Sequence, residues 1–261
     1  MAIASDPTLT AASAASVGSI TILNVPVAAT PYAAIGVRVH LRSTAVTVTS
    51  VSWGGKALLR HSLITGTNNR QEKWYAVGLT PGTNNVVVTL SANSVVVAAA
   101  TVRYNVDQTS PLGNAFTASG NSTAPSVNVT SADPLTDLLV CDGMSAQASS
   151  ATNPVVTAGA GQTQEYSLRS TSGPPYVGDI CGAGSRRAFA GNPQTMSWTL
   201  STAEFWTMIG TYWRPARLRI SFSWAGLSSF SIPMRPVDPE LVGWRRLVDA
   251  ELQRLRYRLR D

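Results

Sequence analysis

Short runs of alternating apolar and polar residues fill the chain from Val17 to Trp213, and a different pattern begins at Arg214. The segment Ala34–Arg42 shows the first pattern most clearly. Ile35, Val37, Val39 and Leu41 fall on one face, and Arg38, His40 and Arg42 on the other. A period of two is that of a β-strand with one face against a core. Comparable runs lie at 19–27, 46–53, 56–64, 71–79, 86–91, 94–104, 126–131, 136–143, 155–158, 162–169, 179–183, 194–200 and 205–213. Turn residues separate them; in TPGTNN (80–85) Pro presets φ, and Gly and Asn tolerate positive φ. About fourteen strands are too many for one flat sheet. The pattern therefore predicts an all-β fold, a two-sheet antiparallel β-sandwich of jelly-roll type, over residues 17–213. Residues 1–16, rich in Ala and Ser, read as a flexible or extended N-terminal arm.

The C-terminal segment, 214–261, reads as an appendage. Leu218, Ile220, Phe222 and Trp224 alternate with Arg217, Arg219, Ser221 and Ser223, so 217–224 predicts a strand. The run 227–234 is its expected hairpin partner. Asp238 as N-cap, Pro239 at the first helical position and Glu240 in the first turn then predict a helix over 239–260. Leu241, Trp244, Val248, Leu252, Leu255 and Leu259 recur at spacings of three and four and form one apolar stripe. That stripe must be buried on the protein's own sheets, on copies of itself, or on another protein.

Charge sharpens this division. Of the 20 Lys and Arg and 14 Asp and Glu, residues 214–261 hold ten Arg and five acids, a net of +5, against +1 for residues 1–213. The appendage has no Lys, and arginine is the residue suited to planar, bidentate contact with carboxylate or phosphate. Arg217, Arg219 and Arg245, with Trp224 and the helix stripe, are thus the expected assembly contacts. No aromatic interleaving accompanies the arginines, which argues against direct nucleic-acid binding. Only 13% of residues are charged, so Ser, Thr and Asn must carry solubility, as on exterior β-proteins. The segment MAIASDP does not read as a secretory leader, and no apolar run is long enough to predict a membrane span.

Chemistry is sparse. His40 and His61 have no Cys, His or carboxylate at metal-ligand spacing, and no nucleophile elbow, phosphate loop or dinucleotide fingerprint occurs. The glycine-rich stretches 159–162 and 182–184 lie between predicted strands, where they would not cradle phosphate. Carboxylate pairs suited to glycoside hydrolysis would be Glu72 with Glu165, or Asp137 with Asp142. Asp107, Asp133, Asp137 and Asp142 offer oxygen donors for calcium without a spaced loop. Trp74 and Tyr75 are the aromatics most suited to stacking on a glycan. Cys141 and Cys181 are two buried thiols or one disulfide; spacing does not decide between them. The sequons NST (121–123) and NVT (128–130) matter only in a eukaryotic secretory setting. The reading is of a non-enzyme with no cofactor or metal.

Five blocks stand in order: VTSVSWGGKAL (48–58), EKWYAVGLTPGTNNVVVTL (72–90), VDQTSPLG (106–113), PSVNVTSA (125–132) and GAGQT (159–163). Together they resemble a β-sandwich domain that recurs in phage virion proteins and large bacterial surface proteins, over roughly residues 30–213. The resemblance implies a jelly-roll-like module for display, decoration or adhesion, with no catalytic residues to carry over. The expectation is a virion structural protein assembled in the host cytoplasm: a decoration, head-fibre or tail-appendage subunit. It would contact other virion proteins and copies of itself, a trimer favouring a fibre or decoration role. The rival is a carbohydrate-binding or adhesion module that meets a host-surface glycan.

Overall fold

The computed structural model describes residues 2–133, 137–147, 155–170, 178–222 and 230–234. The helix expected over 239–260 lies outside them, as do Trp224, Leu241, Trp244, Arg245, Val248, Leu252, Leu255 and Leu259. Among the described residues every strand pairing is antiparallel and none is helical. Residues 2–216 form one compact unit, and the segment from Arg217 onward belongs to another.

The first unit begins with an eight-stranded sheet: β1 (Ala4–Ser5), β2 (Leu9–Val27), β3 (Ala34–Leu41), β4 (Val48–Trp53), β5 (Lys56–Ala57), β6 (Leu59–Thr65), β7 (Arg70–Val77) and β8 (Gly82–Tyr104). Its path runs β5-β4-β8-β3-β7-β6, with β1 and β2 also on β8. The residues read as an arm are therefore strand: Ala4 pairs with Tyr104, and Leu9 to Ser13 pair with Ala100 to Val96. Small Ala and Ser side chains carry little alternation to read; the backbone ladder holds the stretch, with Leu9 and Ala11 packed on the first core and the side chains of Ser5, Asp6 and Thr8 bonded to Arg103, Tyr104 and Thr101.

The two strands expected at 86–91 and 94–104 are one continuous element, β8. Its first half pairs with β4 and its second with β3. Val86, Val88 and Leu90 from one half and Val96, Ala98, Ala100 and Val102 from the other line the same core. The sheet thus folds over on itself. The register of β2 against β8 breaks at Ser13/Val17, Val17/Ser19 and Ile22/Val25. Extra residues at such bulges raise local twist and bend a ribbon that would otherwise run straight. Ile35, Val37, Val39 and Leu41 of β3, with Trp53 and Trp74, fill this first core.

The chain then builds a five-stranded sheet from β9 (Phe116–Ser122), β11 (Leu139–Gln147), β13 (Thr163–Arg169), β14 (Ile180–Ala188) and β16 (Glu204–Trp213), in the order β13-β14-β11-β16-β9. A three-stranded sheet of β10 (Ser126–Val129), β15 (Gln194–Leu200) and β12 (Val156–Ala158), in that order, covers one face of it. Between them lies a second core with Val127, Val129, Val140, Met144, Met196, Trp198 and Met208.

The other face of the five-stranded sheet packs on β3, β7 and the second half of β8. Ala34, Cys141 and Trp213 form an apolar group there, and a Cβ on Gly36 would sit 3.0 Å from Trp213 Cζ2. Antiparallel layers enclose each core as expected, but there are more layers than one sandwich holds. The polar face of β3 consequently packs against protein.

Contacts after Trp213 close the unit. Val106 bridges to Pro215 and Leu112 to Trp213, and Ala216 N donates to Asn105 O. The turn after Val106 is fixed by Asp107 Oδ1, which accepts from the amides of Thr109 and Ser110 at 2.8 and 2.9 Å.

In the second unit, β17 (Leu218–Phe222) pairs with β18 (Phe230–Met234). The register sets Leu218 opposite Met234, Ile220 opposite Ile232 and Phe222 opposite Phe230.

Candidate functional site: a buried charge layer and the predicted contacts

Strand alternation delivers charge into the layer between β3–β7–β8 and the five-stranded sheet. Odd residues of β3 enter the first core, so Arg38 and His40 face the other way. On β7 the same rule sends Gln71, Lys73 and Tyr75 to that side, and on β8 it sends Val97, Thr101 and Arg103. All of Arg38, His40, Gln71, Lys73 and Arg103 are buried. Opposite them stand Gly143 of β11 and Gly182 and Gly184 of β14. A Cβ would lie 2.1 Å from Gln71 Nε2 at Gly143, 2.4 Å from His40 Cδ2 at Gly182 and 2.3 Å from Tyr166 Cε1 at Gly184. The glycines at 182–184, expected between strands, thus lie inside β14 and make room for large polar side chains.

Glu165, at a register break in β13, is the carboxylate of this layer. It accepts from Arg103 Nη2, with Arg186 Nε 3.4 Å and Arg38 Nη1 3.8 Å away. Arg103 also donates to Ser5 Oγ and lies 3.6 Å from Cys141 Sγ. His40 Nε2 and Tyr166 Oη are 2.9 Å apart. Burial, reinforced by the Arg38 charge, pushes the His40 imidazole down to about 3. Burial raises the Tyr166 phenol. It lowers the Lys73 ammonium, with Arg38 adding to the effect. Lys73 Nζ has no hydrogen-bond partner and stands 5.3 Å from the centre of the Trp213 ring.

Two further carboxylates are committed within the cores. Glu72 is fully buried; Oε1 accepts from Arg70 Nε at 2.7 Å and Val48 N at 3.1 Å, and Oε2 from Trp74 Nε1 at 3.2 Å. Asp142 Oδ1 accepts from Ser185 N and Oγ at 2.8 and 2.7 Å, and Oδ2 from Trp198 Nε1 at 2.6 Å. Burial outweighs these bonds and raises the Asp142 carboxyl to about 6.

This geometry corrects several expectations. Glu72 faces the first core and Glu165 the layer behind β7, so the two do not flank one cleft. Trp74 is buried, with its indole N–H given to Glu72, and presents no ring to a glycan. Tyr75 is half buried against the Trp213 group and meets His61 edge-on at 6.2 Å. His40 keeps the polar face assigned to it, but that face is buried. Cys141 and Cys181 are free thiols on opposite faces of the five-stranded sheet. Among the described residues no cluster of three or more His, Cys, Asp or Glu could hold a metal, and no helix is long and apolar enough to cross a membrane.

Of the expected assembly residues, Arg217 is exposed and Arg219 lies in β17 opposite Pro233. Sequence reasoning missed Arg214. Its Nε lies 2.9 Å from Asp133 Oδ2, Nη1 donates to Ser110 Oγ at 3.0 Å, and its guanidinium sits over the Tyr212 ring. It belongs to the β-unit and not to the appendage. It also missed two exposed leucines, Leu59 (63%) and Leu63 (39%), on β6 at the sheet edge. A spacing of four would set them on one face of an unbroken strand, but the register shifts between Arg60 and Ser62.

Comparison with known proteins adds little. No protein-family model matches the chain, and no curated protein matches it. One solved structure, that of infectious bursal disease virus Gt strain, aligns over 97% of this chain at 10% identity, with a TM-score of 0.24. The alignment spans about half (48%) of that viral chain, and at this score the likeness carries no argument about role.

Proposed function

We propose that this chain is a structural subunit of a virion, a decoration, head-fibre or tail-appendage protein whose β-layers are displayed and whose C-terminal segment attaches. The observation that carries the reading is the split of charge and contacts at one point in the chain. Residues 2–216 form a unit whose buried Glu72, Asp142 and Glu165 are each held by hydrogen bonds or ion pairs. Residues 217–261 hold nine of the chain's 20 basic residues, all Arg, and belong to a separate unit. Arginine-rich, apolar-striped segments suit attachment to an acidic protein surface, where guanidinium forks meet carboxylates. Partners on this reading are other virion proteins and copies of the chain. The glycan-binding alternative loses its principal ring with the burial of Trp74.

The test compares the full chain with one ending at Ala216. The shortened protein should fold with an unchanged far-ultraviolet β-spectrum and stay monomeric by light scattering. The full chain should oligomerise or be incorporated into particles. Equal assembly by both would remove the attachment role from residues 217–261.

A further inference from the structure

The charge layer between the sheets contains a cavity of about 10 Å³, lined by Gly36, Arg38, Lys73, Thr101, Arg103 and Trp213. Space of this order holds one water-sized particle. Three of the six residues are cationic, and Arg38, Lys73 and Arg103 are 6%, 2% and 1% exposed. Glu165, the carboxylate of this layer, is one negative charge set among Arg38, Arg103 and Arg186, and its Oε2, like Gln71 Oε1, has no hydrogen-bond partner. Asp142 lies on the opposite face of β11, where Ser185 and Trp198 take both its oxygens. Cys141 Sγ is engaged by Arg103, and the Thr101 hydroxyl bonds Thr8 Oγ1 at 2.7 Å. Lys73 Nζ, Arg38 Nε and Arg103 Nε remain as buried donors without a hydrogen-bond partner. Buried charges in proteins are paired or hydrogen-bonded, because stripping water from an unpaired ion is costly.

We propose that this cavity is a binding site for one small monovalent anion of halide size, chloride being the physiological representative. Lys73 Nζ and the Nε–H groups of Arg38 and Arg103 are its donors, and charge-assisted bonds from such groups are the strong ones. The face of Trp213 bounds the site and tolerates a cation beside it. Gly36 lets the Trp213 ring approach closely, since a Cβ there would stand 3.0 Å from Trp213 Cζ2. The anion balances charge that folding forces between the layers, so it is a folding ligand of the β-unit. This inference is independent of the virion role.

The test is thermal unfolding of the full chain in sodium chloride from 1 to 300 mM, with ionic strength held constant by sodium gluconate, whose anion is too large to enter. A ligand bound only by the folded state raises the folding equilibrium constant about tenfold for each tenfold rise in concentration above its Kd. The melting temperature should therefore climb with chloride, and Lys73→Met should abolish the climb. A wild-type crystal grown in sodium bromide should show one anomalous peak within hydrogen-bond reach of Lys73 Nζ. This second measurement decides the matter if Lys73→Met fails to fold. A melting temperature indifferent to chloride, an equal response in Lys73→Met, or bromide absent from the cavity would each overturn the site.

Discussion

His40 shows how a single residue carries the consequences of the layering. Its place on β3, alternate to the core positions, is plain from the sequence. Its environment is not, because the face it occupies meets Tyr166 and Gly182 and not water. The folded-state pKa of about 3 lies below the ordinary value of 6.5, so the unfolded chain binds the proton more readily. The resulting stability is present above pH 6.5 and is lost as pH falls toward 3. Between pH 7 and pH 5 this one group should cost about 2 kcal/mol. Asp142 acts with the opposite sign: its carboxyl, raised to about 6, makes stability fall as pH rises from about 4 to 6. Urea unfolding of His40→Gln should therefore show a loss between pH 7 and pH 5 smaller than wild type by about 2 kcal/mol. Identical pH slopes for the two proteins would show that His40 is not held neutral by burial.

At the scale of elements, a strand's two faces do different work depending on what lies above and below it. In β14, Cys181 and Ala183 enter the second core while Gly182 and Gly184 leave space for His40 and Tyr166. A methyl group at 182 would stand 2.4 Å from His40 Cδ2 and 2.8 Å from Val97 Cγ1. Gly182→Ala should lower stability by about 1–3 kcal/mol, the usual cost of overpacking. Gly191→Ala, with nothing nearer than 3.8 Å, should stay within about 0.5 kcal/mol. Guanidinium midpoints for the two variants measure the contrast, and equal midpoints would mean that the layers separate easily. Most strands between Ser19 and Trp213 were legible as runs of β-branched residues. Strand β9 (Phe116–Ser122), whose burial alternates between half-buried and exposed, was not, because its residues are mostly small and polar. The joining of two runs into β8 was not legible either, since a bend that keeps its ladder leaves no turn signal.

For the whole molecule, the last structural contacts of the β-unit lie beyond the end of its alternating pattern. Arg214 N donates to Pro111 O at 2.8 Å, and Arg214 O accepts from Asp107 N at 2.9 Å. Its side chain pairs with Asp133 as described, and Ala216 N reaches Asn105 O at 2.7 Å. A chain ending at Trp213 should thus be less stable than one ending at Ala216, by about 3 kcal/mol if each lost bond contributes its usual net 0.5–1.5 kcal/mol. Chemical denaturation of the two proteins checks this, and coincident curves would return the boundary to Trp213. Arg214 was counted with the appendage because a lone arginine after a strand looks like the start of a basic segment. Its contacts with Asp107 and Pro111, and with Asp133 81 residues earlier, show that it closes the fold.

Local pattern was enough to predict antiparallel strands over 17–213, the face each residue of β3 occupies, and the arginine bias of the end. These follow from period and composition, which act between neighbours in sequence. The tertiary structure alone decided how many layers stack and which polar faces are sealed between them. It also decided that Trp74 is core, that both thiols are free, and that Arg38, Lys73 and Arg103 share one cavity. A period of two says only that a strand has two different faces. Whether the polar one meets water or a second sheet depends on residues far along the chain, 62 positions away for Arg103 and Glu165 and 126 for His40 and Tyr166, and no local pattern records them.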